Sequence, residues 1–167
     1  MSATASLKSP AVQPFIEGAP RALHRGEREL PFVEFEPGVE MQVLQVDIAS
    51  GLWVIRMRLA PGATLPTHKH GGEVFAFTIS GAWKYIEYPE INRAGSYLYE
   101  PAGSVHTLQA LPSNESTTDV WFAIRGPNLN LDAAGNVTLV LDAGLVLKVY
   151  LSRCRTLGLP RPGVIGA

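Results

Sequence analysis

From Leu30 onward the chain divides into short runs rich in Val, Ile, Thr and aromatic residues, each closed by Gly, Pro or Asn. That rhythm leaves little room for anything but antiparallel β-structure. About nine or ten strands fit the pattern, the clearest over residues 41–47, 52–60, 73–80, 82–88, 96–100, 105–110, 119–125 and 136–141. Their joints carry Pro61-Gly62, Ser80-Gly81, Pro101-Ala102-Gly103 and Gly126-Pro127. Strands at such even spacing predict an all-β sandwich or barrel. One helix is predicted, over 143–158. Asp142 supplies an N-cap, Val146, Val149, Tyr150, Cys154 and Leu157 form an apolar stripe, and Lys148, Arg153 and Arg155 suit the negative end of the helix dipole. Gly158 and Pro160 stop it. Residues 1–22 are Pro-, Ser- and Ala-rich without periodicity and are expected to form a loose arm, leaving 23–167 as one domain that includes the helix.

Composition removes several classes of function. The 167 residues carry a formal charge of −1 with 17% charged side chains of both signs, which offers no electrostatic footprint for nucleic acid. A single cysteine, Cys154, excludes an internal disulfide and any CxxC pair, as expected of a reducing compartment. No apolar run is long enough to span a bilayer, and the first residues lack the apolar stretch of a signal peptide. A cytoplasmic location with no membrane partner is the expectation.

Only four histidines are present, and three of them fall where chemistry can use them. His68 and His70 stand in Thr67-His68-Lys69-His70, and His106 follows the turn Pro101-Ala102-Gly103. Residues two apart on a strand project to one face about 6.5 Å apart, so both imidazoles can converge on one metal at about 2.0–2.2 Å. An HxH pair alone is commonly just buried or surface histidine. A third His from another strand closes one side of a coordination shell and leaves positions open for water, dioxygen or substrate. The candidate catalytic and metal-ligating residues are therefore His68, His70 and His106, while His24 sits in a polar loop.

The two blocks, 62–81 with the His pair and Gly81, and 95–106 as Gly-Ser-Tyr-Leu-Tyr-Glu-Pro-Ala-Gly-Ser-Val-His, resemble the paired motifs of the cupin superfamily. That resemblance implies a double-stranded β-helix, a cupin or jelly-roll barrel, holding a metal by two His of the first block and one of the second. Cupins usually add a glutamate beyond the second His. Here the position reached by counting back from Gly81 is Val74, and Glu73 is displaced by one residue, which in a strand reverses the face. Glu73 is thus either a fourth ligand or an outward carboxylate. The second block's usual terminal Asn is replaced by Ala110.

Within cupins, Gly72-Glu-Val-Phe-Ala-Phe-Thr-Ile-Ser-Gly-Ala-Trp-Lys-Tyr-Ile-Glu-Tyr88 followed by 94–108 is similar to the 2,4'-dihydroxyacetophenone dioxygenase group and to acetylacetone-cleaving cupins. The resemblance implies one divalent metal per subunit, Fe(II) favoured, with Zn or Ni able to take its place in a purified sample. It implies dioxygen-dependent cleavage of the C–C bond beside a carbonyl in an aryl α-hydroxyketone or a β-diketone. Other cupin roles on the same ligands are a non-redox isomerase or epimerase and a metal- or ligand-binding sensor. The substrate wall would come from among Phe75, Phe77, Trp83, Tyr97, Tyr99, Trp121 and Phe122, of which strand alternation turns about half away. Glu100, beside Pro101, could orient a His ligand or act on substrate protons, but at a strand end it is expected to be exposed. Arg58, Lys84 and Arg125 are expected on outer faces, and Ser104 lacks the setting of a hydrolase nucleophile. Sheet edges and the N-terminal arm lead to the expectation of a homodimer or larger homo-oligomer.

Overall fold

The structure is a computed structural model that describes residue 18 and residues 20–167, so the arm expected over 1–22 lies almost wholly outside the described residues. A short 3-10 turn (Glu27–Glu29), thirteen strands and one α-helix are present among the described residues: β1 (Val33–Glu36), β2 (Val39–Asp47), β3 (Leu52–Leu59), β4 (His68–His70), β5 (Val74–Ser80), β6 (Ala82–Tyr85), β7 (Asn92–Arg93), β8 (Tyr97–Glu100), β9 (Val105–His106), β10 (Leu108–Ala110), β11 (Thr118–Arg125), β12 (Asn128–Leu131), β13 (Val137–Leu141) and α1 (Ala143–Thr156).

The strands form three antiparallel sheets, in the orders β1-β2-β3-β11-β5-β8, β10-β6-β7 and β13-β12-β4-β9. The layout is that of a jelly roll whose sheets do not join into one closed barrel. Alternation explains the layering. In β3 every second residue, Trp53, Ile55, Met57 and Leu59, is buried, and β11 answers with Val120, Phe122 and Ile124. Trp83, Tyr85, Leu108 and Ala110 from the three-stranded sheet and Leu141 from β13 complete the same core. Each fully buried aliphatic side chain contributes roughly 1.5–3 kcal/mol relative to exposure.

The helix begins where expected. Asp142 Oδ1 accepts from the Leu145 N–H at 2.8 Å, and Ala143, Val146, Tyr150 and Cys154 are buried where α1 packs on β1 and β2. The Tyr150 hydroxyl donates to the Pro31 carbonyl at 2.7 Å, tying the helix to the chain just before β1. It ends two residues earlier than predicted, with Leu157 as its cap, so Leu157 lies outside the apolar stripe and is exposed. No described helix is long and apolar enough to cross a membrane.

Two predicted strands are shorter than expected. The 105–110 run divides at Thr107, whose N–H is taken by Glu87 Oε2 at 2.9 Å and whose carbonyl accepts from Ile86. The 82–88 run ends at Tyr85. The strands missed in the sequence, β1, β4, β7 and β12, have two to four residues each, too few for periodicity to register.

Candidate metal centre

Strand β4 is only three residues long, and its alternation buries His68 and His70 while leaving Lys69 outside. It lies between β12 and β9, with His68 opposite His106 on one side and Asn130 on the other. Cross-strand partners share a face, so the register alone delivers the third imidazole. Backbone bonds lock this arrangement: the Gly103 N–H donates to the His70 carbonyl at 2.8 Å and the His70 N–H to the Ser104 carbonyl at 3.0 Å. Gly103 makes the turn with φ +88°, which L side chains rarely adopt. Behind the His pair the chain passes so close to its neighbour that a Cβ on Gly72 would stand 2.2 Å from the Arg125 carbonyl oxygen.

The three imidazoles gather as the spacing predicts, their candidate ligand atoms all within 4.8 Å of one another. His68 Nδ1 lies 2.8 Å from the Pro66 carbonyl, which can only accept, so Nδ1 carries the proton and Nε2 keeps its lone pair. Burial, reinforced by the neighbouring His70 and His106 and opposed by the Pro66 bond, pushes the His68 imidazole down to about 4. It is neutral at physiological pH, as a metal ligand must be.

A fourth group completes the cluster, and sequence reasoning misjudged it. Glu100, expected to be exposed, is 3% accessible. Its Oε2 lies 2.8 Å from His70 Nε2 and 3.0 Å from His106 Nε2, and those two nitrogens are 3.0 Å apart. Adjacent donors around an octahedral ion with bonds of about 2.1 Å stand about 3.0 Å apart, so these three atoms have the spacing of one facet of such a shell. Glu100 Oε2 is also buried without an aligned hydrogen-bond partner, an orphaned carboxylate oxygen that a cation would satisfy. His68, His70, His106 and Glu100 could thus hold a divalent ion. Burial alone would raise the Glu100 carboxyl, but His106, His70 and Tyr85 outweigh it and hold it at about 2. Glu100 Oε1 accepts from the Tyr85 hydroxyl, and burial together with the adjacent charge pushes that phenol well above its ordinary value.

The expected alternatives for Glu73 are resolved by the register. Glu73 is 42% accessible and faces Arg125 at 3.3 Å, while Val74 points inward and is fully buried. Directly across the strand pair from Val74 stands Glu100. The carboxylate comes from β8 instead of β5. The signal was present: with Tyr97 and Tyr99 outward, alternation places Glu100 inward.

A cavity of about 70 Å³ opens beside His68, His70 and Glu100, walled by Met41, Trp53, Met57, Phe122 and Ile124 among others. It has room for a small organic molecule or a few waters. Of the seven aromatic residues offered as a wall, Phe122 lines it and Trp83 packs in the core nearby. Phe77, Tyr97 and Tyr99 are on the outside of the six-stranded sheet. Asn128 and Asn130 on β12 also line it, opposite His70 and His68 in register, and carried no motif that could have announced them. Arg58 pairs with Asp119 and Glu27, and Arg125 with Glu73, as outer-face residues do. The Ser104 hydroxyl has no hydrogen-bond partner among the described residues, so no Ser–His pair forms, and His24 is exposed.

The architecture has relatives among solved structures. A protein of unknown function with a cupin-like fold from Ralstonia eutropha JMP134 is 37% identical with a TM-score of 0.79, over 91% of this chain and 96% of that one. An acetylacetone dioxygenase from Acinetobacter johnsonii shares the fold at 17% identity and a TM-score of 0.71, over 84% and 97% of the two chains. The Rhodobacter sphaeroides SigE–ChrR anti-sigma complex matches at 17% identity and a TM-score of 0.50, over 60% and 52%. No curated protein matches by sequence. The family model described as the ChrR cupin-like domain matches residues 23–126, and it is to this family of cupins that the chain belongs.

Proposed function

We propose that the protein is a metal-dependent dioxygenase that cleaves the C–C bond beside a carbonyl in a small aryl α-hydroxyketone or β-diketone. The observation that carries this reading is the cluster of His68, His70, His106 and Glu100 beside a mostly apolar cavity. A bound divalent ion would supply Lewis acidity and open positions at which carbonyl oxygens and dioxygen meet. The chain's own part is to hold three imidazoles and one carboxylate in place. Glu100, ionised at any physiological pH, acts as a fixed negative charge, and Tyr85 keeps its proton and orients that carboxylate. Met41, Trp53, Met57 and Phe122 keep bulk water from the substrate.

For a hydroxyketone the stoichiometry is one ketone plus one dioxygen giving an aryl carboxylic acid and formic acid. The bond between the carbonyl carbon and its hydroxymethyl neighbour breaks, each of those carbons gains one oxygen atom, and dioxygen is the oxidant. The acetylacetone dioxygenase that shares the fold supports this reaction class. The test is oxygen uptake by anaerobically Fe(II)-reconstituted protein offered aryl α-hydroxyketones and β-diketones, with the His106→Ala variant alongside. Stoichiometric uptake with a carboxylate product, absent from the variant, is expected. No uptake from fully loaded protein overturns the reading.

A second reading, a metal-binding sensor module, draws on the family match and on the anti-sigma complex. It predicts tight metal binding with no turnover of any ketone.

A further inference from the structure

Glu36, Asn128 and Asn130 line the cavity without a role in the cluster, and of these Asn128 stands out. Asn128 Oδ1 is buried and makes no hydrogen bond to any described residue. A buried acceptor left unpaired is unfavourable by about 1–3 kcal/mol, and such atoms in folded proteins call for an explanation. The strand register supplies one: Asn128 stands opposite His70, and both side chains line the same cavity. Apart from Glu36, Asn130 and the cluster with Tyr85, the remaining wall, including Trp53, Ile55, Phe122 and Leu141, is apolar.

We propose that Asn128 is a substrate-specificity residue, its carboxamide oxygen accepting a hydrogen bond from a hydroxyl group carried by the ligand next to its metal-facing oxygen. An acceptor requires a donor. An α-hydroxyketone brings one, whereas the anion of a β-diketone brings only acceptors, so the residue selects the hydroxyketone branch of the proposed substrates. The inference rests on the proposed function for the position of the ligand, but its test does not need turnover.

The probes are 2-hydroxyacetophenone and 2-methoxyacetophenone, which present the same two oxygens and differ in whether the second can donate. Their affinities for zinc-loaded protein under argon are measured by isothermal titration calorimetry, for wild type and for Asn128→Leu, with Asn128→Ala as a second variant and zinc stoichiometry checked in each. Wild type is expected to bind the hydroxy probe about tenfold more tightly, the equivalent of one hydrogen bond at a buried site. In Asn128→Leu that gap closes to within about twofold while zinc remains bound one to one. Equal affinity of wild type for the two probes overturns the proposal without recourse to any variant, as does an unchanged gap in a folded variant. Protein that shows the Asn128-dependent preference yet consumes no oxygen keeps the specificity residue and loses the dioxygenase reading.

Discussion

The ring of Tyr85 lies flat on the imidazole of His106, 3.6 Å between centroids with 14° between planes. The same side chain donates its hydroxyl to Glu100. One residue of β6 therefore braces a candidate ligand from β9 by stacking and a carboxylate from β8 by a hydrogen bond, which couples three strands at the cluster.

The two functions of Tyr85 can be separated. Tyr85→Phe keeps the stack and removes the donor, leaving a buried carboxylate oxygen unpaired, so a loss of about 1–3 kcal/mol is expected. For a chain of this size that corresponds to a fall of several degrees in melting temperature, at about 2–4 °C per kcal/mol. Calorimetry of the metal-free protein measures it, and Tyr85→Leu, which loses the stack as well, should fall further. Equal melting of wild type and Tyr85→Phe would show that the hydroxyl contributes nothing.

Glu100 and Glu73 make opposite predictions. Glu100→Gln replaces the charge beside His70 and His106 with a neutral amide and should weaken divalent metal binding about 10- to 100-fold. Glu73→Gln loses only an exposed pair with Arg125, worth about 0–1 kcal/mol, and should leave metal affinity unchanged. Competition with a chromophoric chelator reads both. A large effect at Glu73 with none at Glu100 would reverse the assignment of the carboxylate.

The contrast between these glutamates shows what the sequence could and could not disclose. The His pair was legible because period two is a property of any extended segment, and the third His because a Pro-Gly turn precedes it. The inward face of Val74 followed from the same alternation. Alternation in β8 turns Glu100 inward, but what it meets there, like the whole role of Asn128, was not legible, since each enters the site through cross-strand register: Val74 opposite Glu100, His70 opposite Asn128. Register depends on which strands become neighbours, and β5 pairs with β11 and β8, contacts that no local pattern encodes. The division of the 105–110 run at Thr107 is likewise a tertiary effect, made by the Glu87 side chain.

The glycines behind the His pair are expected to matter for packing, not flexibility. In Gly72→Ala the new Cβ meets the Arg125 carbonyl oxygen at 2.2 Å and its carbon at 2.8 Å, backbone atoms that cannot rotate away. A loss of roughly 3 kcal/mol or more, with reduced metal stoichiometry as β4 shifts, is expected. Gly103→Ala meets nothing within 4 Å and should cost only about 1–2 kcal/mol for its left-handed backbone. Urea unfolding and metal analysis of the two variants measure the difference, and similar losses in both would sink the steric explanation.

Acid should destabilise the metal-free protein in two separable stages. His68 titrates at about 4 when folded against 6.5 ordinarily, so between those values the unfolded chain binds more protons and stability rises with pH. Stability from this group is complete above pH 6.5 and is lost on descending to pH 4, a span worth about 3 kcal/mol. Glu100 titrates at about 2 against 4.5, so its contribution is present above pH 4.5 and disappears only below it. The urea midpoint of wild type should therefore begin to fall near pH 6.5, well before its carboxylates titrate. His68→Gln should flatten the curve between pH 6.5 and 4.5 and leave the fall below 4.5 in place, because Glu100 keeps His70, His106 and Tyr85 as neighbours. An identical decline in both proteins would mean that His68 is not held neutral by its burial.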